Sequence, residues 1–108
     1  MSADLAQPTI LVAEDDSANL ESLERILAKQ GFKVLTAPEG HRARELLTSE
    51  RVDVLLTDLM MPGLTGIDLL KLAKAISPET QVILMTAFGT VETAVKAMKD
   101  GAYDFITK

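Results

Sequence analysis

The sequence predicts an α/β fold, a doubly wound five-stranded parallel sheet, from three observations. Short apolar runs alternate with longer amphipathic stretches in the order βαβαβαβαβ. The first, third and fourth runs are almost continuously apolar, as strands buried on both faces of a parallel sheet must be. Turn chemistry (Pro38-Glu39-Gly40, Pro62-Gly63, Pro78, Gly101) separates the runs.

Each element has its own signal. The run TILVA at 9–13 is the first strand, and it ends in Glu14, Asp15 and Asp16. Ser17 is the expected N-cap of the first helix. Leu20, Leu23, Ile26 and Leu27 recur at helical spacing, and Gly31 is a stop signal. Residues 32–36 read as a second strand, placed at an edge because Lys33 stands in its middle. Ala43, Leu46 and Leu47 mark the second helix, and Val54, Leu55 and Leu56 the third strand between Asp53 and Asp58. Residues 61–66 are loop chemistry. Ile67, Leu70, Ala73 and Ile76 form a helical stripe that ends before Pro78. Residues 82–85 are the fourth strand, closing at Thr86. Thr90 is the expected cap of a fourth helix carrying Val91, Ala94, Val95 and Met98, stopped by Gly101. Residues 103–107 are the fifth strand. An alternation at this spacing implies right-handed crossovers with helices on both faces. The sequence given closes on a strand at Lys108, so the expectation is one domain, residues 1–108, cut before a C-terminal helix.

Composition narrows the function. A chain of 108 residues with 47% hydrophobic and 25% charged residues is one ordinary globular domain. The absence of Cys excludes a disulfide scaffold, a thiolate metal site and a Cys nucleophile, and one His is too few for a His-based metal site. No apolar run approaches the roughly 20 residues that span a bilayer. The N-terminal segment lacks the basic and apolar regions of a signal peptide. A soluble cytoplasmic domain with no membrane contact is expected. A net charge of −5 argues against direct nucleic-acid contact by this domain.

In an open parallel sheet, ligands bind beyond the carboxyl ends of the strands at the switch in strand order. The ends here carry Glu14, Asp15 and Asp16, then Asp58, then Thr86, then Lys108. Clustered carboxylates repel unless a cation joins them. Oxygen-only ligands point to Mg²⁺ or Mn²⁺, and Mg²⁺ takes one or two carboxylates with a phosphate oxygen. Asp15 and Asp58 suit direct ligation, Glu14 ligation through water, and Asp16 simply the start of a helix. Lys108 could neutralise the cluster or hold a phosphoryl oxygen. Thr86 could cap a turn, or donate to an oxygen where charge develops. An Asp near a divalent ion can act as a nucleophile and form an aspartyl-phosphate. His41, between Gly40 and Arg42, reads as an exposed helix-start residue, so a phosphoryl-donor His belongs on another protein.

These residues resemble the receiver domain of bacterial two-component response regulators. The resemblance is carried by ILVAEDDS at 10–17, DLMMPG at 58–63 followed by Gly66, MTA at 85–87, and FITK at 105–108. It runs in order over residues 9–108. The segments at 85–89 and 101–108 look most like receivers of NtrC-type sigma-54-dependent transcriptional activators. The resemblance implies a flavodoxin-like strand order 2-1-3-4-5. It implies phosphorylation of Asp58, an acidic pair Glu14 and Asp15, and the Met60 carbonyl as a further Mg²⁺ ligand. Thr86 and Lys108 would contact the phosphoryl group, and Phe105 would be a switch aromatic that turns inward as Thr86 moves. Met60 and Phe88 would flank the acyl phosphate and restrict water. Glu14 stands where Asp is commoner in the family. The implied partners are a sensor histidine kinase and an output domain, with transcription regulation as the output. Such receivers often dimerise, so a homodimer is a further implied assembly.

Other classes share parts of this pattern. A flavodoxin-like electron carrier needs a phosphate-cradling loop after the first strand, where this chain is acidic. A haloacid-dehalogenase-like phosphatase wants a second Asp where Met60 stands. A pseudo-receiver that only docks would lack part of the residue set. The expected mechanism is phosphoryl transfer to Asp58, followed by a change in the surface near the fourth helix and fifth strand.

Overall fold

The computed structural model describes residues 7–86 and 91–107. Its elements are β1 (Thr9–Ala13), α1 (Ser17–Lys29), β2 (Lys33–Ala37), α2 (Gly40–Ser49), β3 (Val54–Asp58), α3 (Gly66–Ile76), β4 (Gln81–Thr86), α4 (Val91–Lys99) and β5 (Asp104–Thr107). The strands pair in parallel in the order β2-β1-β3-β4-β5. The α/β class, the strand order and the edge position of the Lys33 strand are therefore as the sequence predicts. The order switches between β1 and β3. No helix follows β5 among the described residues.

Alternation along the strands divides the core into two layers. Leu11, Ala13, Leu55, Val82 and Leu84 face the layer that holds Leu46 and Leu47 of α2 and Leu69, Leu70 and Ala73 of α3. Ile10, Val12, Leu56 and Met85 face the other layer, where Leu20, Leu23 and Leu27 of α1 pack. Leu11, Leu55, Leu69, Leu70 and Leu84 are essentially fully buried. Each such leucine is worth about 1.5–3 kcal/mol of burial.

The helix details correct some expectations. Asp16, not Ser17, caps α1: its backbone is extended and its carboxylate accepts from the Asn19 amide at 3.0 Å. Two cap-competent residues stand side by side, and the acidic one takes the place of the cap. Ile26 belongs to the predicted stripe of α1 yet is 56% exposed, because its side chain lies outside the arc that Leu20, Leu23 and Leu27 bury. On α4, Val95 and Met98 are exposed, and among the described side chains Ala97 is the buried one. Among the described side chains of α4, the Ala97 methyl reaches the core where Val95 and Met98 do not. Thr90, the expected cap, lies outside the described residues, as do the side chains of Val91 and Ala94.

Among the described residues the α1 layer is open at the β5 end. A groove of about 320 Å³ runs there between Leu23 of α1 and Met85 and Ile106 of the sheet, with Glu14 at its rim.

Candidate functional site

Parallel register brings the strand ends level. Ala13 stands opposite Thr57, Asp58 opposite Met85, and Thr86 opposite Thr107. Glu14, Asp58 and Thr86 thus lie along one carboxyl edge, at the switch between β1 and β3 and its neighbour β4. Carboxylate oxygens of Glu14, Asp15 and Asp58 all lie within 4.8 Å of one another. Glu14 is fully buried and Asp58 nearly so, while Asp15 is exposed.

Local backbone contacts hold this arrangement. The Glu14 amide donates to the Ala37 carbonyl at 3.1 Å. The Glu14 carboxylate accepts from the Asp16 amide at 3.2 Å, so Glu14 is tied to the entrance of α1. The Asp58 carboxylate accepts from the Met60 amide at 3.2 Å, and the Thr57 hydroxyl donates to the Asp58 carbonyl at 3.0 Å. After Asp58 the Leu59 amide donates to the Met85 carbonyl at 2.8 Å, extending the sheet contact by one residue.

The loop between β3 and α3 is closed by a glycine and a cap. A Cβ on Gly66 would stand 2.5 Å from the Asp58 carbonyl oxygen and 2.9 Å from the Leu59 Cα, so only glycine fits. Thr65 and Asp68 form a capping box at the start of α3. The Thr65-x-x-Asp68 spacing is the sequence signature of this box. The close approach of Gly66 to the Asp58 carbonyl has no such signature, because it depends on the fold.

The other expected site residues are placed as follows. Thr86 is 5% exposed, and its hydroxyl has no hydrogen-bond partner among the described residues. The Met60 side chain is 72% exposed beside the acidic cluster. Phe105 is half-buried on β5, opposite Leu84, and packs on the α2–α3 layer of the core. Asp16 stands at the start of α1, as expected, and caps it in place of Ser17. Lys108 and Phe88 lie outside the described residues.

The donor set fits a hard divalent cation. Three carboxylates converge, every ligand atom is oxygen, and two of the three side chains are buried at a strand edge. Like charges held this close are stable only when positive charge joins them, and Mg²⁺ prefers such oxygen ligands.

Comparison with known proteins agrees with this geometry. The response regulator receiver domain family matches residues 10–108. The chain is 41% identical over 100 residues to a cyclic di-GMP phosphodiesterase of Thermotoga maritima, covering 93% of this chain and 27% of that protein. It is 41% identical over 99 residues to the DNA-binding transcriptional regulator NtrC of Escherichia coli K12, covering 92% of this chain and 21% of that protein. The chain thus spans about a quarter of the length of these curated relatives. Among solved structures it resembles a response regulator of Burkholderia pseudomallei with a phosphorylated aspartic acid, a calcium ion and citrate. That match has a TM-score of 0.88 and 26% identity, over 94% of this chain and 60% of the other. Among the described residues no helix is long and apolar enough to cross a membrane. With the family matched over nearly the whole chain and NtrC among its relatives, the chain belongs to the response regulator receiver domains, and its relatives include receivers of the NtrC type.

Proposed function

We propose that this receiver domain is a phosphorylation-dependent switch whose acceptor is Asp58. The observation that carries this reading is the convergence of Glu14, Asp15 and Asp58 beside the buried hydroxyl of Thr86. The donor is a phosphohistidine of a sensor histidine kinase, or a small phosphodonor. An Asp58 carboxylate oxygen attacks phosphorus, the P–N bond to the donor imidazole breaks, and the imidazole leaves with its electron pair and takes up a proton. Asp58 becomes an acyl phosphate. The Met60 amide, bonded to the Asp58 carboxylate, orients the nucleophile.

Glu14, Asp15 and Asp58, with the Met60 carbonyl, are the residues that would hold Mg²⁺. When bound, such an ion neutralises the charge on the transferring phosphoryl group. Thr86 and Lys108 take the phosphoryl oxygens. The Thr86 hydroxyl then gains an acceptor, and Phe105 and the α4–β5 surface respond. The exposed Met60 side chain limits water at the acyl phosphate and so slows its loss, a hydrolysis in which the domain's own residues take part.

The solved relative with a phosphorylated aspartic acid supports this reading by analogy. An output domain elsewhere in the polypeptide, concerned with transcription as in NtrC, is the consumer of the switch. The domain works in the cytoplasm, with a homodimer as one form of output. The open groove at Leu23, Met85 and Ile106 supports the presence of a further helix that covers it.

Intact mass after incubation with Mg²⁺ and acetyl phosphate tests the proposal, with Asp58→Asn alongside. One added phosphoryl group, dependent on Mg²⁺ and absent from the variant, is expected. No addition to a folded protein that responds to Mg²⁺ would refute chemistry with a small donor and favour a docking module.

A further inference from the structure

We propose that His41 is a positioning residue for the cation-binding loop. Its imidazole is the seat against which the Gly63 turn closes, and it thereby fixes Met60 relative to Asp58. This role presupposes the phospho-acceptor reading of Asp58.

The contact is specific. Gly63 has φ +80, a left-handed conformation suited to glycine. A Cβ built on it would lie 3.1 Å from His41 Nε2 and 3.2 Å from His41 Cδ2. The imidazole edge therefore occupies the space over Gly63 that a side chain would need. One residue away, the backbone of Gly40 abuts the carbonyl oxygen and Cβ of Leu64 so closely that no Cβ fits there. The N-terminus of α2 thus holds the loop at two adjacent points.

Those points are coupled to the site by a short, stiff stretch of chain. Between Gly63 and Met60 stand only Pro62, whose ring fixes φ, and Met61, whose side chain is 7% exposed within the core. A shift at Gly63 has little slack in which to dissipate before it reaches Met60. Met60 donates its amide to the Asp58 carboxylate, and its carbonyl belongs to the proposed ligand set. His41 itself is exposed, so its side chain can be cut back without opening the core.

The test is a Mg²⁺ titration followed by amide NMR shifts, with melting followed by circular dichroism. It compares wild type, His41→Ala and His41→Gln, the last of which reaches about as far as Nε2. Mg²⁺ affinity should fall about threefold to fivefold in His41→Ala, less than the roughly tenfold or greater loss for a group bonded directly to a metal ligand. The melting midpoint should stay nearly unchanged, and His41→Gln should recover most of the affinity. Unchanged affinity in His41→Ala would overturn the role. So would a His41→Gln as weak as alanine, or an affinity loss that merely follows a falling melting midpoint. A wild type with no Mg²⁺-dependent shift would overturn the phospho-acceptor reading and this role together. A responsive wild type with a silent His41→Ala would overturn the role alone.

Discussion

Replacing Thr86 by Val should stabilise the resting protein and disable the switch. Thr86 is 5% exposed at the end of β4, and its hydroxyl has no hydrogen-bond partner among the described residues. A hydroxyl withdrawn from water without a partner costs about 1–3 kcal/mol. Valine keeps the branched shape and removes the polar atom, so most of that cost is recovered. The added methyl must fit in place of an oxygen, which takes some of the gain back. The net expectation is about 1 kcal/mol of added stability, or roughly 4 °C in melting midpoint for a domain of this size. Far-UV circular dichroism in a urea or thermal series reads it directly, since the chain has no Trp for fluorescence. The same variant should still take a phosphoryl group on Asp58. It should lose the amide NMR shift changes expected along β4, α4 and β5 on phosphorylation, because the proposed donor to the phosphoryl oxygen is gone. A melting midpoint that falls by a similar amount would refute the reasoning, by showing that the hydroxyl is satisfied at rest.

Gly66→Ala should lower stability by about 2 kcal/mol, since the new Cβ meets backbone atoms of Asp58 and Leu59 that cannot swing aside. Its phosphorylation by acetyl phosphate should fall more steeply than that of a core variant of equal stability, because the displaced carbonyl belongs to the proposed acceptor residue itself. A urea midpoint paired with intact mass separates the two effects. Thr65→Ala removes one half of the capping box of α3 and should cost about 1 kcal/mol. Its initial phosphorylation rate should stay close to wild type, since the cap satisfies the helix end and leaves the Gly66 approach in place.

Much of the fold could be read because its signals are local or one-dimensional. Continuous apolar runs marked β1, β3 and β4, and the single Lys33 placed β2 at an edge, where the structure has it. The acidic cluster was visible as residue types at strand ends, because parallel topology brings all carboxyl ends to one edge. Other features depend on distances that no spacing encodes. Glu14 is charged by type and fully buried in place, which a hydropathy pattern cannot anticipate. Gly40 and Gly66 look like ordinary turn residues, and only the neighbouring backbone shows why they lack side chains. Ala97 was missed on α4 because helical periodicity weights large apolar residues, whereas a close helix contact selects a small one.

The weakness of α4 bears on how a small chemical change at Asp58 could be felt at the surface. The α2–α3 layer buries leucines completely, and such packing resists displacement. On α4, by contrast, Ala97 is buried at 1% exposure while Val95 and Met98 stand 46% and 40% exposed. The neighbouring strand is no firmer: Ile106 of β5 is 45% exposed, and Phe105 is only half-buried. A new hydrogen bond or two on an acyl phosphate supplies a few kcal/mol at most, about 1.5–3 kcal/mol for each bond to a charged group. That is too little to repack the leucine layer, and enough to shift elements whose described large side chains, Val95, Met98 and Ile106, stand exposed. Elements that move in a switch are drawn from the low-stability end of a structure. The proposed output surface therefore falls on a part of this molecule that is more lightly packed than the α2–α3 layer, next to the strand end that carries Thr86.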